Sequence, residues 1–436
     1  MEQTMKQNAK PKAARKNRIS LVRRMDWPLF FAMTFLLVFG VIMVYSASMY
    51  NALNLYGESP DYFFLRQLIF VIVGFIGFFL VIRINYKLYK KHYILIAVLV
   101  TLLLLVTFLF EAKKGSQRWI PLGLFDLQPA ELAKIAIIFV WAATYAIKEK
   151  YLNKLAKRKM AIQERAKQMF LNVYMIPIGF TLLYMIIMFI QSDNGSMIIT
   201  LFLSGIITLV AGFNRKISLS VSLIGVCIAV FAVFLLFLMF DHATIDSGNY
   251  VVGRFTAWVN PFEDYNDNGY QLVNSYIALA FGGLFGDGLG AGLQKQGYLP
   301  DIHTDFILAN VGEELGYLGL ILVFAFFCLI IWRGVKIATE CKDKFGKLTA
   351  FGITSLFFVQ AFWNAAGITG VLPLKGLTAP LVSYGGTALL VMMGALAILQ
   401  SIAIRSKIAQ EKEAKAMARR EKEMEARAAQ LAAEPV

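Results

Sequence analysis

WPLFFAMTFLLVFGVIMVYSA, Trp27–Ala47, is the stretch that decides the fold class: 21 residues without one charged side chain. About 20 mostly apolar residues are what a helix needs to cross the hydrocarbon core of a bilayer. The stretch follows a polar, basic segment, and no small-residue cleavage site ends it. It is therefore expected to be a retained span and not a cleaved signal peptide. Nine further stretches have the same character: Gln67–Ile82, Tyr93–Phe110, Pro129–Ile147, Val173–Ile190, Met197–Phe213, Ile217–Phe240, Leu315–Ile331, Leu348–Ala366 and Tyr384–Ile404.

Composition agrees. The 436 residues are 58% hydrophobic and 16% charged, where a soluble domain carries about 25% charged residues. A soluble enzyme, a disordered chain and a collagen-like chain are all excluded. The expected class is an all-α integral membrane protein with about ten transmembrane helices. Cys227, Cys328 and Cys341 lie in or beside apolar segments and imply no disulfide framework. His92, His242 and His303 are the only histidines, which leaves little scope for a histidine-built metal site.

Charge sets the orientation. The two tails and the loops after the second, fourth, sixth and eighth spans hold 35 of the 43 Lys and Arg residues. The opposite set holds Arg66, Lys113, Lys114, Arg118, Arg254, Lys295 and Lys375, and Lys134 lies inside a span. Such asymmetry puts both termini in the cytoplasm. It makes Asp241–Glu314, between helices 7 and 8, one large extracytoplasmic loop. The division expected is a basic tail over 1–25, a membrane domain over 26–405 and a charged tail over 406–436. The net charge of +15 is accounted for by topology and by contact with anionic membrane lipids, so no nucleic acid partner is expected. Glu149–Gln168 and Ala409–Ala433 mix charges at helical spacing and read as solvated helices. The second either frays or binds a partner.

Ionisable residues at membrane depth are functional candidates, and four places hold them. Arg118-Trp119 precedes Gln128-Pro129, Glu131 and Lys134. The last two are three apart on one helix face, where an ion pair easing burial competes with a substrate role. Asp193 stands just before a span and either caps it or serves a ligand. Lys375, in Pro373-Leu374-Lys375-Gly376, and Ser383-Tyr384-Gly385-Gly386 follow the ninth span. A phosphate group would suit Lys375; a solvated loop lysine is the plainer account. The fourth place carries the strongest signal: His303-Thr304-Asp305-Phe306, then Gly312-Glu313-Glu314. A carboxylate at the bilayer edge is partly desolvated, which suits a base; helix capping is its alternative role. Upstream, six glycines between Gly282 and Gly292 allow tight turns or close backbone approach to a diphosphate.

These motifs resemble the SEDS family of bacterial wall-building membrane proteins (shape, elongation, division and sporulation), from Asp26-Trp27 to about Ser406. Arg118-Trp119-Ile120, Gln128-Pro129, Tyr270-Gln271, His303-Thr304-Asp305-Phe306, Gly312-Glu313-Glu314 and Ser383-Tyr384-Gly385-Gly386 carry the likeness. Leu372-Pro373 and Lys375-Gly376-Leu377-Thr378 are closer to the division branch than to the elongation branch. Two motifs depart from the usual pattern: Gln191-Ser192-Asp193-Asn194-Gly195 and Gly385-Gly386-Thr387-Ala388. The resemblance implies a ten-helix peptidoglycan glycosyltransferase that polymerises lipid II, with Asp305 as the essential acid. Substrate contacts are then expected from Trp119, Arg118, Glu131, Lys134, Asp193, Arg254, His303, Glu314, Lys375 and Ser383. A divalent cation (Mg or Mn) is compatible with such chemistry but has no visible ligand set. A class B penicillin-binding transpeptidase and other division membrane proteins are the implied partners. Two rival classes are a lipid II flippase and a non-catalytic division scaffold. Acidic motifs gathered on one external face favour a surface catalyst over a transporter.

Overall fold

The computed structural model describes residues 21–112, 116–123, 125–157, 161–211, 258, 260–263, 265 and 269–432. The expected span Ile217–Phe240, Cys227 and Arg254 lie outside these residues.

Helix α1 is Trp27–Asn54. Asp26 caps it by accepting from the Leu29 amide at 3.2 Å, and Pro28 sits in its first turn, where a missing amide hydrogen costs nothing. Helix α2 is Tyr62–Val81, α3 is the short Lys87–Lys91, and α4 is Tyr93–Val106, extended by one 3₁₀ turn to Leu109. Helix α5, Pro129–Ile147, is buried over most of its length and forms the centre of the bundle. Helices α6 (Glu149–Lys157) and α7 (Ile162–Met169) follow; α7 runs through a π turn into α8, Met175–Ile190. Then come α9 (Asn194–Ala211), α10 (Tyr270–Gly282), α11 (Ile307–Glu340), α12 (Lys344–Ile368) and α13 (Gly386–Ala432). Helices α4, α8, α9 and α12 pack around α5, while α1 packs on α2 and α11, and α13 lies against α2 and α12.

Eight helices among the described residues are long and apolar enough to cross a membrane, and Tyr93–Leu109 is a shorter apolar one. One feature departs from the all-α expectation. Ile120–Pro121 pairs antiparallel with Asp126–Leu127 around a turn containing Gly123 at φ +81°. Strands of two residues are too short to leave a period-two pattern in the sequence.

Helix α11 is broken. Gly316 has φ +65° and ψ −167°, a conformation that side-chain-bearing residues rarely adopt. The break strands backbone groups, and the glycine-rich run after α10 takes them up. Asp287 and Gly288 donate to the carbonyls of Glu313 and Glu314, each at 3.0 Å, while Tyr317 and Leu318 donate to Gly283 and Leu284 at 3.0 and 3.2 Å. Buried irregular backbone survives only where its polar groups are paired in this way. Of the two uses foreseen for these glycines, the structure displays tight turns and close approach to α11. A β-carbon on Gly286 would lie 2.3 Å from the Glu314 carbonyl oxygen.

Candidate active site

The site is organised by the connector between α12 and α13, residues 369–385. Its fold begins locally, at a turn over 379–383. The Ser383 hydroxyl accepts from the Ala379 amide at 2.8 Å, the Ser383 amide donates to the Ala379 carbonyl at 3.0 Å, and Leu381 takes φ +67°. Helix α2 then anchors the turn, because Gln67 Nε2 donates to the Ser383 carbonyl at 3.1 Å. Ser383 is thus placed as the residue that shapes the connector.

Two other segments are drawn onto it. The turn before α11 is initiated by Asp301 at φ +53°, whose carbonyl accepts from the Thr304 amide and hydroxyl at 2.9 Å each. The His303 carbonyl accepts from the Tyr384 amide at 2.9 Å, and the imidazole packs between the rings of Phe63 and Tyr384 at 4.6 and 5.7 Å. On the other side, the Thr387 hydroxyl at the start of α13 donates to the Asp126 carbonyl at 2.7 Å and accepts from the Gln128 amide at 3.2 Å. That contact brings the hairpin and the entrance of α5 to the same place.

Asp305 is half-buried. The N-cap of α11 is Phe306, whose own side chain makes no capping hydrogen bond. The Asp305 carboxyl lies against Gly376, the chain neighbour of Lys375.

Arg118, Trp119 and Asp193 come together beside the hairpin. Arg118 Nη1 is 3.6 Å from Asp193 Oδ1, and its guanidinium lies 5.6 Å from the centre of the Trp119 ring. Asp193 Oδ1 also accepts from the Ser196 amide at 3.2 Å, a capping contact, while Oδ2 accepts from Gln128 Nε2 at 3.0 Å. Asp193 therefore caps α9 and belongs to the polar cluster at once. Glu131 and Lys134 form a 2.7 Å ion pair with the lysine fully buried. Gln360 Nε2 lies 3.5 Å from Glu131 Oε2, and Gln360 lines a small cavity with Thr378, Ser383 and Met392. The pair is thereby connected to the site through one side chain.

Glu314 sits apart. Nine residues beyond Asp305, it is ~13 Å further along α11 at 1.5 Å per residue. Its carboxylate accepts from Ser46 at 2.7 Å, Lys295 at 2.7 Å and the Gly290 amide at 3.1 Å. Lys295 and Glu314 are both buried, so this cluster ties α1, the glycine run and α11 into one block. Neighbouring Glu313 accepts from the Leu293 and Gln294 amides at 2.7 and 3.0 Å. Sequence reasoning named Lys295 only as an external cation and Gly376 only as a motif residue, and passed over Gln360 and Asn364. A polar residue inside an apolar span was the available signal for Gln360 and Asn364.

Among the described residues, no group of three or more His, Cys, Asp and Glu side chains could hold a metal ion. What the arrangement offers is a half-buried carboxyl against Gly376, with a lysine next to that glycine in the chain.

A bundle of membrane-crossing helices with a polar site assembled from their connectors defines a multi-pass membrane protein. The chain belongs to the family described as Cell cycle protein, that of FtsW, RodA and SpoVE, which matches residues 27–408. It is 34% identical to the probable peptidoglycan glycosyltransferase FtsW of Bacillus subtilis, over 91% of this chain and 94% of that protein. It is 36% identical to the protein of the same name from Geobacter metallireducens, over 88% and 96%. Rod shape determining protein RodA of Thermus thermophilus has a similar fold, with a TM-score of 0.57 and 20% identity over 87% of this chain and 96% of that one. A chain from the structure described as "Structural coordination of polymerization and crosslinking by a peptidoglycan synthase complex" gives a TM-score of 0.66 and 22% identity, covering 88% and 98%.

Proposed function

We propose that the protein is a peptidoglycan glycosyltransferase that polymerises lipid II into glycan strands, for septal wall synthesis in cell division. The observation that carries this reading is the Asp305 carboxyl set against Gly376 beside Lys375, in a chain whose relatives bear that enzymatic name.

Asp305 is the general base. It takes the proton from the 4-hydroxyl of the acceptor lipid II as that oxygen attacks the anomeric carbon of the lipid-linked donor chain. The bond from that carbon to the diphosphate oxygen breaks, and undecaprenyl diphosphate leaves with the electron pair. The leaving group is already stabilised, so one base suffices for a single inverting displacement, unlike the paired carboxylates of glycoside hydrolysis. Lys375, Arg118 and Arg254 meet the diphosphate charge, and Trp119 lies beside the sugar. His303, Asp193, Ser383 and the Glu131–Lys134 pair support the same substrate region. The described donors do not form a cage for Mg or Mn, and no step here runs through a cation.

The proposed topology has ten spans, both termini cytoplasmic and residues 241–314 outside. The membrane domain covers 26–405, flanked by tails over 1–25 and 406–436. The protein acts in the bacterial plasma membrane at the division septum. A class B penicillin-binding transpeptidase is its proposed partner, together with other division membrane proteins. Purified protein incubated with labelled lipid II should yield glycan polymer, in the presence of that partner where it is required. Absence of polymer under both conditions, with lipid II instead crossing vesicle membranes, would replace the enzyme by a transporter.

A further inference from the structure

We propose that Asn364 and Gly376 are positioning residues that together set where the Asp305 carboxyl stands; the proposal rests on the catalytic reading of Asp305. Asn364 lies in the last two turns of α12 and is 4% exposed. Its amide nitrogen carries two hydrogens and makes two contacts. One goes to the Asp305 carbonyl and one to the Leu377 carbonyl, each at 2.7 Å. A single amide thus clamps the segment entering α11 to the segment leaving α12. Such planar, two-armed bonding fixes relative position more tightly than one rotatable contact does.

Gly376 acts on the same carboxyl from the other side. Lys375 and Leu377 aside, a β-carbon there would lie 3.1 Å from Asp305 Oδ2 and 3.9 Å from Cγ, with no other described atom within 4 Å. Its φ is outside the left-handed region, so the demand at this position is for space and not for backbone freedom. Gly376 is exposed while Asp305 is half-buried. The bare glycine therefore lets the carboxyl reach the open side of the site. The brace fixes the backbone of the acid, and the missing side chain leaves room for its oxygens.

A base must come within hydrogen-bond reach of the proton it takes, and misplacement by about 1 Å can cost ~10²-fold in rate. Beyond its chain neighbours, Gly376→Ala adds one methyl group that meets only the carboxyl, so it probes position and little else. In the full-length protein polymerising lipid II, this variant should lower kcat at least ~10-fold. KM for lipid II should stay within about two-fold and the thermal unfolding temperature should be unchanged, since binding groups and packing are untouched. Asn364→Leu keeps most of the volume and removes both donors. Where it folds, it should show the same split, and its effect combined with Gly376→Ala should be less than multiplicative, because both act through one group.

Parent-level kcat in Gly376→Ala would overturn the proposal while leaving the catalytic reading intact. A raised KM with kcat preserved would also overturn it, by making Gly376 part of the substrate grip. A parent protein that makes no polymer, with or without its transpeptidase, would remove the catalytic reading and this inference with it. Unfolding of Asn364→Leu would leave the decision with Gly376→Ala.

Discussion

Asp305 and Lys375 illustrate what one residue can reveal. Both are ionisable groups at the lip of an apolar span, where a charge without a purpose is costly, and both were legible in the sequence for that reason. Asp305→Asn keeps the size of the side chain and removes its basicity. It should lower polymerisation ~10²–10⁴-fold, the usual cost of losing a general base, with membrane levels and thermal unfolding unchanged because Asn keeps the size of the side chain and much of its capping ability. Near-parent turnover by this variant would remove Asp305 from the mechanism. Lys375→Ala should act differently, raising the lipid II concentration for half-maximal rate several-fold through a poorer hold on the diphosphate. Unchanged substrate dependence would make Lys375 a plain connector lysine. Asn364 was not legible in the same way. Its partners are carbonyls of residues 59 positions earlier and 13 later, and no local pattern announces a contact across that separation.

At the scale of elements, the sequence displayed the spans well and their interruptions poorly. Hydrophobic runs set the helices because every backbone group in a bilayer must be paired within the segment. The expected span Leu315–Ile331 is nevertheless part of a helix that begins at Ile307 and is broken at Gly316. Six glycines in the 282–292 run signalled unusual backbone. That this run would pair with the break in α11 depends on register between two distant segments, which glycine content does not encode. Glu314 shows the consequence. Expected from the sequence as a substrate contact, it has a carboxylate that accepts from Ser46, Lys295 and Gly290. Removing one partner of a buried ion pair leaves the other uncompensated and typically costs ~3–5 kcal/mol. Glu314→Ala should therefore lower stability by about that amount in a reversible unfolding assay, with whatever protein remains folded retaining its lipid II affinity. Full stability with lost affinity would return Glu314 to the substrate.

For the whole molecule, the charge count divides the segments into two sets, and the contacts respect that division. At one end, Arg333 pairs with Asp26, Arg24 with Glu411 at 2.7 Å, and Lys342 with Glu413. At the same end Arg405 donates to the Arg83 carbonyl and Lys344 to the Ala211 carbonyl, each at 2.8 Å. The N-terminal segment, the loops after the second and eighth spans, the end of α9 and the C-terminal helix therefore meet there. The exposed pairs among these contribute ~0–1 kcal/mol each, so their value is as markers of sidedness more than as stabilisers. The other end gathers Asp305, Lys375, Arg118 and Asp193. The proposed orientation puts the first of these ends in the cytoplasm, on the excess of Lys and Arg, because positive loops are retained inside. The test uses a protein in which Cys227, Cys328 and Cys341 are replaced by Ala and a single cysteine is introduced. Glu263→Cys, exposed in the segment before α10, should react with a membrane-impermeant maleimide added to intact cells. Gln163→Cys, exposed on α7, should react only after the membrane is opened. The reverse pattern would turn the molecule over, place Asp305 on the cytoplasmic face and separate it from a donor chain growing outside the cell.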